Sequence, residues 1–455
     1  MSNALLAGIG VIITFLFPFL LSVDEYAYYQ EYTLYLSYIN ICHLGIASGM
    51  FLNYAGKEYS AIDKSQYKSE ILLIFFVLLC FTFVGFGVYI AAGENIFLLV
   101  TLSIIPHCLI ASFQALYQAW NRFTAYSVIN ALPKLFFVLV VVLLAFKLKT
   151  LSGNTISAIY VVIIWGIALY LILEFLFSVR GVRSQKIFSK KNAETTVCGF
   201  LITFGNYVNL LFHSIDKQFV NSLYTVKDFA IYSFAMTLQN VMMLFITAIA
   251  NPFYPRLAKG DIDGNFIKQL KQMLLMFGAY SGCAYFIVSY IVKRYIESYV
   301  ESLDIVAVFF AVFPAMAVIN VIYINLYKIK RLVKKYILTL FEMLFVAIIL
   351  NTVSVALNTG YMGICVATLI AYYIWLFYSQ KEFQELTIGK RDCLYLLGFF
   401  ILYFLSKIGK SDIFGLLMYT ITITIWNLVI YKETFLNTMF LLLGKLHLDG
   451  VLNKR

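Results

Sequence analysis

The sequence predicts an all-α polytopic membrane protein of about fourteen transmembrane helices, and three observations predict it. Hydrophobic residues make up 62% of the 455 positions and charged residues only 13%, where a soluble domain carries roughly 25% charged residues. The apolar residues gather into fourteen runs, each near the ~20 residues that one helical crossing takes. Lys and Arg fall unevenly between the two sides that those runs define.

The runs are 4–22, 34–54, 71–92, 96–119, 125–146, 155–178, 197–222, 229–254, 273–292, 303–327, 336–357, 361–379, 393–408 and 413–431. Backbone facing lipid has no water to bind, so spans are helices or the strands of a closed barrel. A run such as ILLIFFVLLCFTFVGFGVYIAA at 71–92 lacks the alternation of barrel strands. Helices remain. Run 34–54 is interrupted by Asn40 and His43, and run 197–222 is the most polar.

With the N-terminus inside, the inner segments hold 25 of the 34 Lys and Arg and the outer segments seven; Lys134 and Lys217 lie within spans. That bias predicts a multi-pass protein with both termini cytoplasmic. It also accounts for the net charge of +11 through basic loops lying on anionic membrane lipids, without a nucleic-acid partner. The seven cysteines (Cys42, Cys80, Cys108, Cys198, Cys283, Cys365 and Cys393) are odd in number, scattered and free of any CxxC. Buried free thiols are expected rather than a metal site or disulfides, and no cofactor is expected. The first run has neither the basic lead nor the small-residue cleavage site of a signal peptide.

The chain carries traces of an internal duplication. Glu25-Tyr-Ala-Tyr-Tyr29 matches Asp228-Phe-Ala-Ile-Tyr232 at an offset of 203, which also sets Phe51 on Tyr254 and Ala55 on Ala258. Leu116-Tyr117 and Tyr126 match Leu326-Tyr327 and Tyr336 at an offset of 210. The matches keep order and side of the membrane, with six crossings between partners. An even number makes the repeat parallel. The expected organisation is a six-helix lobe over 1–196, a second over 197–385, and two further helices with a cytoplasmic amphipathic tail over 386–455. In that tail Phe435, Met439, Leu442, Leu443 and Leu446 recur at helical spacing, which suits the inner leaflet.

At these positions the chain resembles a known family. Asp24-Glu25-Tyr26-Ala27-Tyr28-Tyr29, His43-Leu44-Gly45-Ile46 and Asn53-Tyr54-Ala55-Gly56-Lys57-Glu58 resemble the first hairpin of the Wzx-like polysaccharide-biosynthesis flippases. These are the O-antigen and capsule branch of the multidrug/oligosaccharidyl-lipid/polysaccharide exporter superfamily. His213-Ser214-Ile215-Asp216-Lys217, Asp228 to Ala235 and Pro252-Phe-Tyr-Pro-Arg-Leu257 are similar to the corresponding second hairpin. Family members open with a short basic segment, whereas Met1-Ser2-Asn3 leads straight into the apolar run. The resemblance implies two lobes around a central cavity, working by alternating access in the bacterial inner (cytoplasmic) membrane. The implied substrate is an oligosaccharide on undecaprenyl diphosphate, turned to the outer leaflet with H+ or Na+ coupling and alongside other polysaccharide-assembly membrane proteins.

Candidate site residues follow from the cost of a charge at mid-bilayer, roughly 2.5–3.5 kcal/mol on insertion scales. In run 197–222, Asn206, Asn209, His213, Asp216 and Lys217 share one helical face. Such a stripe should line water or another helix. Asp216 and Lys217 also lie only ~10 Å from the outer end, where an interfacial pair is the plain alternative. In run 125–146, Lys134 follows Pro133 one turn beyond Asn130, ~12 Å past the inner end. Its ammonium suits a diphosphate or acidic sugar as a point charge; snorkelling to the interface is the alternative. Ser103, His107, Gln114 and Gln118, with Asn40 and His43, suit sugar hydroxyls or helix packing equally. Asp216, His43 or Glu342 are candidates for ion coupling.

Other functions fit less well. A polysaccharide polymerase or ligase, the rival from the enzyme class, needs a long outer loop, and the longest outer segments (23–33 and 293–302) have about a dozen residues. The Gly-Lys pairs at 56, 389, 409 and 444 lack the earlier glycine of a phosphate loop. A drug/cation exporter should show an acidic site in the first span, which has no ionisable residue before Asp24. A lipid II flippase shares the carrier and stays open. The sequence reads as a transporter, not an enzyme.

Overall fold

The computed structural model describes residues 2–147, 151–258, 264–383, 386–409 and 411–440. Among them every regular element is helical: α1 (Ser2–Leu20), α2 (Val23–Tyr38), α3 (Ile46–Tyr54), α4 (Lys64–Ala92), α5 (Asn95–Ala119), α6 (Phe123–Lys147), α7 (Gly153–Ser178), α8 (Lys190–Leu223), α9 (Val226–Ala258), α10 (Gly264–Tyr280), α11 (Gly282–Tyr295), α12 (Ser302–Val318), α13 (Ile324–Ile329), α14 (Val333–Ala356), α15 (Gly360–Ser379), α16 (Lys390–Lys407) and α17 (Asp412–Ile430). Their starts are written in the loops. Asp63 accepts from Ser65 and Gln66 N–H to cap α4, and Ser152, Ser189 and Ser411 cap α7, α8 and α17 in the same way.

Among the described residues eleven helices are long and apolar enough to cross a membrane, or twelve when the bent pair Val23–His43 and Ile46–Tyr54 is taken as one span. The remaining two of the fourteen runs fall on α1, apolar over Gly8–Leu20, and on α16, which carries Lys390, Arg391, Asp392 and Lys407 at its ends. The protein is an all-α polytopic membrane protein. In the tail, 432–440 is helical, while Leu442, Leu443 and Leu446 lie outside the described residues.

The chain divides into two compact units, Met1–Ser233 and Phe234–Arg455. In the first, α5 is the central helix and packs against α3, α4, α6 and α7. Its Leu99, Ile105, Leu109, Phe113 and Leu116 belong to one buried cluster. The outward faces stay apolar, with Phe83, Val84 and Ile90 on α4 and Val162, Leu169 and Phe177 on α7 all exposed. A water-soluble fold would not tolerate such a surface; hydrocarbon matches it. The unit also takes in α8, which the duplication groups with the later helices.

In the second unit α12 is buried at every position except Asp304, as expected of a helix apolar all round. It packs on α10, α11 and α15 and passes through a π turn at Ile319–Tyr323 into α13. The run read as one span at 273–292 lies within the single candidate span Gly264–Tyr295, whose helix is interrupted at Ser281 between α10 and α11. There Gly282 lets the Tyr419 ring of α17 approach to 2.8 Å of where a Cβ would stand. Of the thiols, Cys42, Cys108 and Cys365 are buried, but Cys80 and Cys198 are exposed. Apolar spans present outward faces that composition alone does not distinguish from inward ones, so the expectation of burial fails for those two.

Candidate functional site: a polar seam along α8

The break expected at Asn40 and His43 is a 59° bend between the α2 segment and α3. Leu44 and Gly45 take left-handed backbone, at φ 47° and 81°, a conformation that glycine adopts freely. The Gly45 N–H donates to His43 Nδ1 at 3.0 Å, so the bend satisfies one of the backbone groups it frees. His43 is 8% exposed, and its imidazole serves the backbone there.

The bent span runs antiparallel to α8, and polar pairs join the two along their length. Asn221 Nδ2 donates to Glu31 Oε1 at 3.2 Å, and Lys217 Nζ donates to Gln30 Oε1 at 2.9 Å. Tyr38 donates its hydroxyl to Ser214 at 3.2 Å. Below the bend Ser48 and Thr203 hydroxyls meet at 2.8 Å, and Asn53 Nδ2 donates to Thr195 Oγ1 at 2.9 Å. Between these levels the backbones nearly touch. A Cβ on Gly49 would stand 2.0 Å from Thr195 O, and one on Gly199 would stand 2.0 Å from Gly45 O. The Gly45-x-x-x-Gly49 spacing on α3 thus receives Gly199 of α8, the small-residue packing that draws helices together in lipid.

The stripe expected on α8 forms, but it does not open evenly onto water. Asn206 is exposed, Asn209 and His213 are half-buried, and Asp216 and Lys217 are buried. Asn209 Oδ1 is buried and meets no partner among the described residues. Asp216 accepts the Tyr232 hydroxyl of α9 on Oδ2 at 2.9 Å. Lys217 lies over the Phe229 ring at 5.5 Å while its ammonium reaches Gln30 O as well as Oε1. Both side chains are thus packed, Lys217 against α2 and Asp216 against α9. Gln30, Tyr38, Asn221 and Tyr232 complete the cluster; the sequence marked Tyr232 only as part of the repeat match and the other three not at all.

Lys134 lies apart from the seam on α6. It is exposed, and Asn130 one turn back is half-buried. Seven exposed apolar residues of α6, Val128, Leu132, Leu135, Phe136, Leu139, Leu143 and Phe146, centre roughly 145° around the helix from Lys134 at 100° per residue, and only Phe123 in the first turn falls on the Lys134 side. Lys134 and Asn130 thus sit on the flank away from the apolar outward face. In the second unit Glu342 is half-buried on α14. Ser103 is buried and shares a hydrogen bond with Tyr32 at 2.8 Å, a packing contact between α5 and α2.

No family model matches the chain, and no curated protein matches it in sequence. A solved structure does match: "Lipid II flippase MurJ, inward closed conformation", at a TM-score of 0.64 and 15% identity, covering 95% of this chain and 97% of that one. The two proteins share a fold over nearly their whole lengths.

Proposed function

We propose that the protein is a flippase that turns an undecaprenyl-diphosphate-linked oligosaccharide, an O-antigen or capsule unit, from the inner to the outer leaflet of the bacterial cytoplasmic membrane. The observation that carries this reading is the polar seam between the bent span and α8. Its groups are bonded to one another inside a lipid-facing fold, and hydroxyl-rich sugar or water can replace those bonds one for one. Each such bond is worth about 0.6 kcal/mol between membrane helices. The five pairs together amount to roughly 3 kcal/mol, which substrate binding can offset. Closed, the seam is a barrier; open, it is a polar path.

In this reading the lobes 1–196 and 197–385 move against each other, and α8 is the element of the later lobe that separates from α2 and α3. Lys134 and Asn130 meet the carrier diphosphate, and the row from Asn206 to Lys217 meets the sugar. Asp216 is the group best suited to exchange H+ or Na+, with Glu342 the second candidate, while His43 is already engaged by the Gly45 N–H. Resemblance to the Wzx-like branch supports the oligosaccharide, and the shared fold supports lipid flipping. The fold neighbour acts, by its name, on lipid II, so lipid II is the second reading. The longest segments that the sequence assigns to the outer side have about a dozen residues, which disfavours a polymerase site.

The test is leaflet-resolved labelling of carrier-linked glycan in cells lacking the protein. Accumulation of single units on the inner side is the expected result. Units exposed outside but failing to grow into chains would mean a polymerase, and unchanged glycan with inner-side lipid II would select the second reading. We expect Lys134→Ala and Asp216→Ala each to reduce export about tenfold, the effect of ~1.4 kcal/mol, at unchanged protein level in the membrane. Wild-type export in both variants would remove these residues from the path.

A further inference from the structure

In the second unit, polar groups gather where α11 and α16 end and α12 and α17 begin, and the reading above gives them no role. They surround a cavity of about 220 Å³, partly open to its surroundings, where a single water needs only ~10–15 Å³. Tyr285 and Phe286 of α11 line it together with four charges, one from each helix: Lys293, Asp304, Lys407 and Asp412. The charges pair between helices. Lys293 Nζ lies 2.9 Å from Asp412 Oδ1, and Lys407 Nζ lies 2.6 Å from Asp304 Oδ1. The Ser289 hydroxyl also donates to Asp412 at 2.8 Å, and Lys407 sits over the Tyr285 ring at 5.8 Å. The charge bias of the sequence places this end of the helices outside.

Helix geometry keeps this space open. Deeper in the unit, a Cβ on Gly415 of α17 would stand 2.5 Å from the Phe286 ring, and one on Gly282 of α11 2.8 Å from Tyr419. Small residues draw α11 and α17 together there, while long charged side chains span them at the end. An independent observation fixes the kind of ligand. Ile408 follows Lys407, and Ile413 and Phe414 follow Asp412; all three are exposed, as are Leu405 and Leu417 on the same two helices. Charges of both signs thus border directly on surface that suits hydrocarbon. Among the described lining residues two Lys and two Asp sum to zero. A bare anion or cation would leave a charge unbalanced; a group carrying both signs would not. Each pair has one well-exposed member, Lys293 at 50% and Asp304 at 67%. Water screens such pairs, so they yield to ligand charges at small cost.

We propose that this cavity binds the headgroup of a zwitterionic phospholipid of the ethanolamine class from the outer leaflet, with the acyl chains lying along α16 and α17. The phosphate takes the Lys293 and Lys407 ammoniums, and the headgroup ammonium takes the Asp304 and Asp412 carboxylates. A primary ammonium has three N–H donors to share between two carboxylates. Choline's quaternary nitrogen has none, and a glycerol headgroup brings no positive charge. The lipid bound here is a resident one, not the transported one: it bridges four helices and holds α16 and α17 to α11 and α12. By linkage it stabilises the folded unit. The assignment goes beyond the transported substrate and holds whichever lipid is carried.

The experiment is thermal unfolding of the purified full-length protein in detergent micelles doped with dioleoyl phosphatidylethanolamine, phosphatidylcholine or phosphatidylglycerol, with inorganic phosphate as the soluble arm. The wild type is expected to show a saturable rise in midpoint with the ethanolamine lipid, and half-saturation about tenfold weaker with each other probe. Asp304→Asn with Lys407→Gln removes one pair without stranding a charge and should shift half-saturation upward about tenfold. Lys293→Gln should do the same, and it carries the test if the double variant does not purify. The control is Lys335→Gln with Glu382→Gln, which removes an exposed pair at 2.7 Å elsewhere in the unit and should leave the response at its wild-type value. Equal rises with all the lipids, a rise with phosphate that matches the ethanolamine lipid, or an unshifted half-saturation in the cavity variants would each overturn the assignment. None of these outcomes depends on transport, so the headgroup site and the flippase reading fail separately.

Discussion

Replacing Gly199 with alanine is expected to lower the thermal midpoint of the protein sharply, and with leucine to prevent α3 and α8 from closing at all. An added Cβ would lie 2.0 Å from Gly45 O and 2.3 Å from Gly49 N. Both are backbone atoms, so no rotamer change relieves the overlap and the helices themselves must part. Overpacking of this kind costs about 1–3 kcal/mol and more when backbone must move. Parting α3 from α8 also strains the Ser48–Thr203 and Asn53–Thr195 bonds on either side. The controls are Gly87→Ala on α4 and Gly166→Ala on α7, where an added Cβ meets nothing within 4 Å. There the change should be neutral or stabilising by about 0.4–1 kcal/mol, through the unfolded chain. Should G199A melt at the same temperature as G166A, the close crossing does not exist in the protein as it stands in detergent.

That crossing marks where the sequence was legible and where it was not. The spans could be read because a bilayer imposes one length and one composition on all of them, and the polar interruption at Asn40 and His43 became a real bend. The stripe from Asn206 to Lys217 could be read because helical spacing places it on one face. What that face meets is decided by a different helix. Gln30 and Tyr232 lie 187 and 16 positions from the residues they bind; Gln30 falls in the segment between two runs, and the repeat match that includes Tyr232 says nothing of its partner. Lys271 was counted as an ordinary charge of an inner segment, because a residue near the end of a helix looks the same in sequence whether its side chain turns to water or to protein. The Gly45-x-x-x-Gly49 spacing was visible, but its meaning needed Gly199 opposite.

Asp392→Ala is expected to destabilise the second unit by about 3–5 kcal/mol, the usual loss when one member of a buried ion pair is removed. Lys271 Nζ lies 2.6 Å from Asp392 Oδ2, and the two side chains are only 2% and 8% exposed. The surroundings are arranged for both charges. Thr387 O takes a second ammonium hydrogen at 2.9 Å, while the carboxylate receives the Tyr431 hydroxyl at 2.5 Å and the Gly389 N–H at 3.1 Å. Alanine at 392 strands the ammonium with one carbonyl; methionine at 271 strands the carboxylate with two neutral donors. Removing both charges, as Lys271→Met with Asp392→Leu, leaves no buried ion and should recover most of the loss, since apolar replacements of buried pairs are often neutral. Unfolding midpoints of the wild type, the two singles and the double decide the matter as a double-mutant cycle. A double variant well above both singles means that the pair secures α16 to α10 by balancing charge, and that the two terminal helices are held to their unit at this point. A double variant that falls by the sum of the singles would show instead that each side chain acts alone through its own packing, and the ion pair would then have no part in fastening α16.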